Sequence, residues 1–293
     1  MKFLLQLVLA VIVASSAIAQ NSAQEKDRVK AEMEAEAAAN LKREAVLAEL
    51  KRLGAHNWAG DYYAGDGTGM NVSLTLAPDS GYVFEWRGCL DVFVRDSGPA
   101  IWKDGHVHLS FTESSRKLLP AVDFIAPELI SIPWGVRRYI IPAGGIVGFC
   151  NEINQGMEPR SNMLQGSYLL RIGDEKKKAD GLPILPIEFK RYLLSKPVEA
   201  KIIAVGVSAP RPSIGGLKFK ATPLTLDAGT NRGLLAGMEL FVTESGGPTE
   251  PVRITEVEPG RAEATMIQNE KEQVPKVGSP ISTRAWWDSK KAD

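Results

Sequence analysis

From Trp58 to Phe111, apolar and polar residues alternate with a period of two, in short runs broken by turn residues. Val72, Leu74 and Leu76 share one parity, with Asn71, Ser73 and Thr75 on the other. Tyr82, Phe84 and Trp86 alternate with Val83, Glu85 and Arg87; Val107, Leu109 and Phe111 alternate with His106, His108 and Ser110. Successive side chains of an extended chain point to opposite faces, so these runs predict half-buried antiparallel strands. Pro78-Asp79-Ser80-Gly81, Asp96-Ser97-Gly98-Pro99 and Lys103-Asp104-Gly105 separate them, as turns separate the strands of a meander.

A helical period takes over in two places. Ile146, Phe149, Cys150 and Ile153 stand at i, i+3, i+4 and i+7, which predicts a helix over 143–155, with Pro142 near its start and Gly156 near its end. Arg137 to Pro142 reads as a strand leading into it. Residues 22–53 are rich in Ala, Glu, Lys and Leu, lack Gly and Pro, and stop at Gly54, a natural C-cap. Val29, Met33, Ala37 and Leu41 recur every fourth residue, and Val46, Leu47, Leu50 and Leu53 continue the stripe. The stripe is thin at its start, which favours a solvated helix whose last two turns pack on the β-domain. A coiled-coil or partner-binding helix is the alternative.

Tyr168 to Ile172 reads as a short strand, Gly173 to Gly181 as a polar turn or exposed loop, and Leu182-Pro-Ile-Leu-Pro186 as irregular. Beyond Lys196-Pro197 the chain is β-like again. Lys201, Ile203, Val205 and Val207 share a parity, and short apolar runs follow around Leu224, Leu240, Ile254 and Ala264. Five or six strands there imply a small barrel or sandwich. The expected fold is mainly β with α: an N-terminal helix (20–54), an antiparallel β-meander domain with one packed helix (55–197) and a C-terminal small β-barrel or sandwich (198–293). Trp286-Trp287 lie in a tail that covers an edge or hangs free.

The first nineteen residues read as a signal peptide. Lys2 supplies the charge, Phe3 to Val13 the apolar core, and Ala17-Ile18-Ala19 before Gln20 an Ala-x-Ala cleavage site. A periplasmic or secreted bacterial location is expected, with no transmembrane segment after cleavage. Thirty-five basic residues balance thirty-five acidic ones, so no global field favours nucleic acid or anionic lipid. Two cysteines in an exported chain permit one disulfide. A Cys89–Cys150 bridge would close a loop of about sixty residues, with an idealised stabilisation on the order of 4 kcal/mol; two buried, reduced thiols are the alternative.

Candidate chemistry is sparse. Gly65-Asp66-Gly67-Thr68-Gly69 could offer backbone amides to an anion, and Asp66 with Asn71 oxygens to calcium, but neither phosphate-loop nor EF-hand spacing is present. His106 and His108 share a strand face compatible with zinc; the third histidine, His56, lies far off in sequence, so a carboxylate such as Glu113 would be needed to complete the set. Arg137 and Arg138 beside Trp134 and Tyr139 could grip an anionic or glycan ligand by charge and stacking, with one arginine of the two facing it. Trp134, Arg137 and Asp66 are therefore the ligand-binding candidates. No nucleophile motif, catalytic residue or cofactor signature is read.

Two resemblances add to this. Leu226-Asp-Ala-Gly229 through Gly233 and Gly237 to Val242, with Gly278-Ser-Pro-Ile281, resembles the small β-barrel module of flagellar assembly protein T and other bacterial envelope proteins. That resemblance implies an assembly module without catalytic residues. Gly65-Asp-Gly-Thr-Gly-Met-Asn71, Trp134 to Pro142 and Phe149 to Gly156 are similar to uncharacterised exported bacterial proteins. Trp58-x-Gly60 is similar to the start of lipocalins, whose strand order the helix at 143–155 would break. The expectation is a non-enzymatic binding or envelope-assembly protein with a protein partner in the cell envelope. A hydrolase or other enzyme built on the central domain is the alternative.

Overall fold

The turns of the first half take backbone angles that suit few side chains. Gly81 sits at φ +75°, and Asp104 and Gly105 at +53° and +84°, the pair of positive angles that a two-residue type I′ hairpin requires. The computed structural model describes residues 26, 29–31, 33–65, 67, 69–89, 92–112, 125–159, 168–214, 216–244 and 246–284. The signal-peptide residues, Asp66, Glu113 and Trp286-Trp287 lie outside them.

Nine strands make the first sheet: β1 (Gly60–Gly65), β2 (Asn71–Ala77), β3 (Gly81–Arg87), β4 (Val92–Gly98), β5 (Ala100–Lys103), β6 (His106–Leu109), β7 (Glu128–Trp134), β8 (Arg137–Pro142) and β9 (Leu169–Arg171). Their order is β4-β3-β2-β1-β9-β8-β7-β6-β5, antiparallel throughout. The three-residue β9 joins the two meanders by pairing with both β1 and β8. The edge strands β4 and β5 are consecutive in sequence with only Pro99 between them, so the edges meet at one corner and the sheet curls on itself. Ser110 N–H ties that corner to the Pro99 carbonyl at 3.2 Å. The parity read from the sequence fills the interior: Tyr62, Leu74, Leu76, Tyr82, Phe84, Val107, Leu129 and Ile140 are buried together.

Helix α1 runs through residue 53, unbroken from 33, with helical residues back to Lys26. Its last turns are bolted to the sheet. Val46 is fully buried, Leu50 packs on the core, and Arg43 pairs with Asp61 at 3.4 Å. The Glu49 carboxylate accepts the amides of Asp79 (3.0 Å) and Ser80 (2.6 Å) in the β2–β3 turn. Burial alone would push that carboxyl up; the bonds from Ser80 and Asp79 and the charge of Arg52 outweigh it and hold the group below its usual range.

Helix α2 (Ile146–Asn154) follows a 3-10 turn at Ala143–Gly145 and covers the outer face of β7 and β8. Ile146, Phe149 and Cys150 pack there on Ile130, Ile132 and Ile141. Phe149 meets Trp134, Tyr139 and Tyr168 edge-on at 6.2, 5.2 and 5.4 Å, spacings suited to aromatic quadrupoles. This packing decides the fate of the cysteines. Neither forms a disulfide, Cys89 being exposed and Cys150 buried, so the expected bridge is absent. Cys89 follows β3, which lies four strands from β8; at about 4.8 Å per strand that is far beyond bridging range.

The second sheet contains β10 (Glu199–Val205), β11 (Ala209–Ile214), β12 (Leu217–Leu226), β13 (Glu239–Val242), β14 (Val252–Val257), β15 (Ala262–Asn269) and β16 (Pro280–Ser282). Its order is β10-β16-β13-β14-β15-β12-β11, and an additional β10–β12 pairing closes six of the strands into a barrel. Ile202, Leu226, Leu240, Val252, Ala264, Met266 and Ile281 fill it. Seven strands exceed the five or six expected. The two least legible are β11, which carries Pro210 and Pro212, and β16, three residues long. In β10 the inward parity is Ala200 and Ile202, while Ile203 faces water, as does Val207 beyond the strand's end. Asn151 of α2 joins the two sheets: its amide donates to the Gly237 carbonyl (3.0 Å) and accepts the Glu239 amide (3.3 Å).

Candidate functional site

A depression of about 320 Å³ opens where the β7–β8 turn, the end of α2 and the segment 173–181 meet. Trp134, Ile153 and Met157 line it with apolar surface, and Glu158, Lys178 and Ala179 complete the wall. Trp134 and Arg137, singled out from the sequence, do come together here. Local geometry explains why. Gly135 turns the chain at φ +58°, and a Cβ at that position would come 2.9 Å from the Asp180 amide. The segment 173–181 therefore lies flat against the hairpin tip.

The role of these side chains differs from the expectation. The Trp134 indole donates to the Gly181 carbonyl at 2.8 Å. Arg137, 7% exposed, donates from Nε to the Lys177 carbonyl, pairs with Glu158, and bonds the Glu175 carbonyl at 3.2 Å. Its guanidinium edges are thus occupied in clamping the loop. Arg138 faces the other way, as neighbouring strand residues must, and bonds the Asn57 carbonyl.

At the centre of that loop, in the stretch expected to be a polar turn or exposed loop, stands Asp174. It is fully buried. Its carboxylate accepts the Arg138 amide (2.9 Å), Arg171 Nε (3.1 Å) and Lys177 Nζ (2.6 Å). Burial pushes its carboxyl up, but those bonds and the charge of Arg171 outweigh this and hold it below the usual range. The available signal was the i, i+3 spacing of both Arg171 and Lys177 from Asp174.

The remaining candidates separate. His106 Nδ1 contacts Glu128, and His108 is 6.5 Å away between ring centres; Glu113 lies outside the described residues. His56 Nδ1 accepts the Ala59 amide at 3.0 Å. Among the described residues no group of three or more His, Cys, Asp or Glu could hold a metal. In the glycine-rich turn, Asn71 Oδ1 accepts the Tyr63 hydroxyl and the Gly67 amide, the latter at 2.8 Å. Asn71 Nδ2 donates to the Gly69 carbonyl at 3.1 Å. Asn71 itself thus occupies the turn amide that an anion would need. No family model, curated protein or solved structure matches this chain.

Proposed function

We propose that the protein is an exported, non-enzymatic binding or assembly component of the bacterial cell envelope, and that α1 is the element it presents to a protein partner. One observation carries this: among the described residues, α1 is anchored only from Ala39 onward. Val46, Glu49 and Leu50 fix its last turns, while Val29, Met33 and Leu41 further up the same helix are exposed. At 100° per residue, Met33, Ala37 and Leu41 lie roughly 140–220° round the helix from Val46, on the face turned away from the sheet. A helix this poor in self-supporting contacts gains most from docking on another surface. The leader-like residues 1–19 supply the export half of the reading, and the resemblance of the Leu226–Val242 segment to an envelope-assembly module supports the rest.

Photo-crosslinking residues placed at Met33 and Leu41 in cells should give one discrete higher-mass adduct in the envelope fraction. Position Leu217, exposed in the second sheet, should give none. The N-terminus of the envelope-derived chain should begin at Gln20. Absence of adducts from both helix positions, or a full-length chain in the cytoplasm, overturns this reading.

A further inference from the structure

The segment after the clamped loop is built to hold apolar side chains in water. Leu185 is buried under α2, and the Ile184 amide donates to the Pro133 carbonyl of β7 at 2.9 Å. Pro183 and Pro186 stiffen the strap on both sides of that anchor. The strap is therefore fixed in place, yet Leu182, Ile184 and Ile187 are 55%, 67% and 78% exposed, and Val136 at the neighbouring hairpin tip is 63% exposed. Trp134, bonded to the Gly181 carbonyl, holds strap and tip together. Aliphatic side chains held exposed on an anchored strap mark a candidate interaction site.

Its shape and charge select the occupant. Val136 stands on a turn tip, a protrusion rather than a groove, and Ile184 already takes a carbonyl on the β7 edge, so an added strand finds no ladder at that point. The chain as a whole is neutral, but within 171–191 six basic residues stand against four acidic ones. Asp174 is buried and paired with Arg171 and Lys177, which leaves Lys176, Lys178, Lys190 and Arg191 against Glu175, Asp180 and Glu188, with Glu175 folded back on the Gly173 amide at 2.9 Å. Lys176 and Lys178 remain exposed beside the aliphatic tip. We propose that this face docks on an anionic lipid bilayer, with Val136, Leu182, Ile184 and Ile187 entering the headgroup boundary and Lys176 and Lys178 meeting lipid phosphates. The surface is separate from α1, so this inference and the partner-helix reading fail independently.

Sedimentation of the full chain with vesicles tests it. Phosphatidylglycerol-containing vesicles should pull the protein down, phosphatidylcholine vesicles should not, and added salt should weaken the binding. Ile184→Ser with Ile187→Ser, and separately Lys176→Glu with Lys178→Glu, should each reduce binding at least about tenfold. Val207→Ser, at a still more exposed apolar position elsewhere, should leave it unaltered, with circular dichroism confirming the fold of every variant. The proposal is overturned by no binding to anionic vesicles, or by equal losses in the Val207 variant. It is equally overturned if light scattering shows a dimer that the Ile184/Ile187 variant abolishes, since the face would then cover a second copy.

Discussion

The two barrels of this protein are closed by different means. In the second, β12 pairs with β10 as well as β15, so backbone hydrogen bonds run round the ring and every strand of the six has two neighbours. In the first, closure depends on a bend: β4 becomes β5 across Pro99, and no ladder joins them. Both sheets expose apolar residues, but in the second Ile203, Leu217 and Ile267 do so on strands whose backbones are paired. Phe93, Ile101 and Trp102 lie on the two edge strands of the first sheet, where unpaired backbone and uncovered side chains coincide. The second sheet keeps its one loose strand, β11, unattractive to other strands by placing prolines at 210 and 212. The first barrel also carries all the added structure, namely α1, α2 and the clamped loop. Closure by hydrogen bonds leaves the ring of strands without an open edge; closure by a corner leaves surface that other elements cover.

If the barrels are separate units, backbone clashes should stay local. A Cβ on Gly229 would overlap the Glu258 carbonyl oxygen, and one on Gly81 would overlap the Gly98 carbonyl while forcing a left-handed φ of +75°. Each of Gly229→Ala and Gly81→Ala should cost about 3 kcal/mol. By segment-resolved hydrogen exchange, the first should unprotect residues 198–284 and the second β1 to β9. Loss of protection across both sheets in either variant would place them in one cooperative unit and remove the boundary near Lys196-Pro197.

A smaller effect sharpens how the units are joined. Asn151→Ala strips the Gly237 carbonyl and Glu239 amide of a buried partner, a cost of about 2 kcal/mol. Calorimetry should show the two barrels melting at more widely separated temperatures than in the parent protein. An unchanged profile would mean the amide bridge does not couple them.

The smallest expected effect concerns the thiols. Labelling of unfolded, unreduced protein should find both cysteines free. In the native protein Cys89 should react and Cys150 should not, because burial covers it and pushes its thiol up to about 12. Reductant should leave the melting temperature unchanged. Protein with no labelled thiols would restore the bridge that the strand order rules out.

Much of this fold could be read directly from local pattern. Tyr82, Phe84, Leu74 and Leu76 are inside because period-two alternation has only one way to face a core, and α2 packs through Ile146, Phe149 and Cys150 for the same reason at helical period. The pattern lost its grip where apolar residues stood on both parities. Ile203 reads at least as inward as Ala200 and Ile202, and only the closure of β10 against β12 and β16 decides between them.

The candidate site divides along the same line. Side-chain types alone pointed to Trp134 and Arg137 as neighbours, since a hairpin turn brings positions on either side of Gly135 together. Their chemistry depended on residues distant in sequence. Lys177, Glu175 and Glu158 consume the Arg137 donors, and Asp174 is a buried hub only because Arg138 and Arg171 converge on it. Hydrophobic period and turn residues act over a few positions, so the chain itself determined its strands, its helices and their inward faces. Which polar groups meet is set by how strands far apart in sequence are ordered in the sheet, and that order was decided by the tertiary structure.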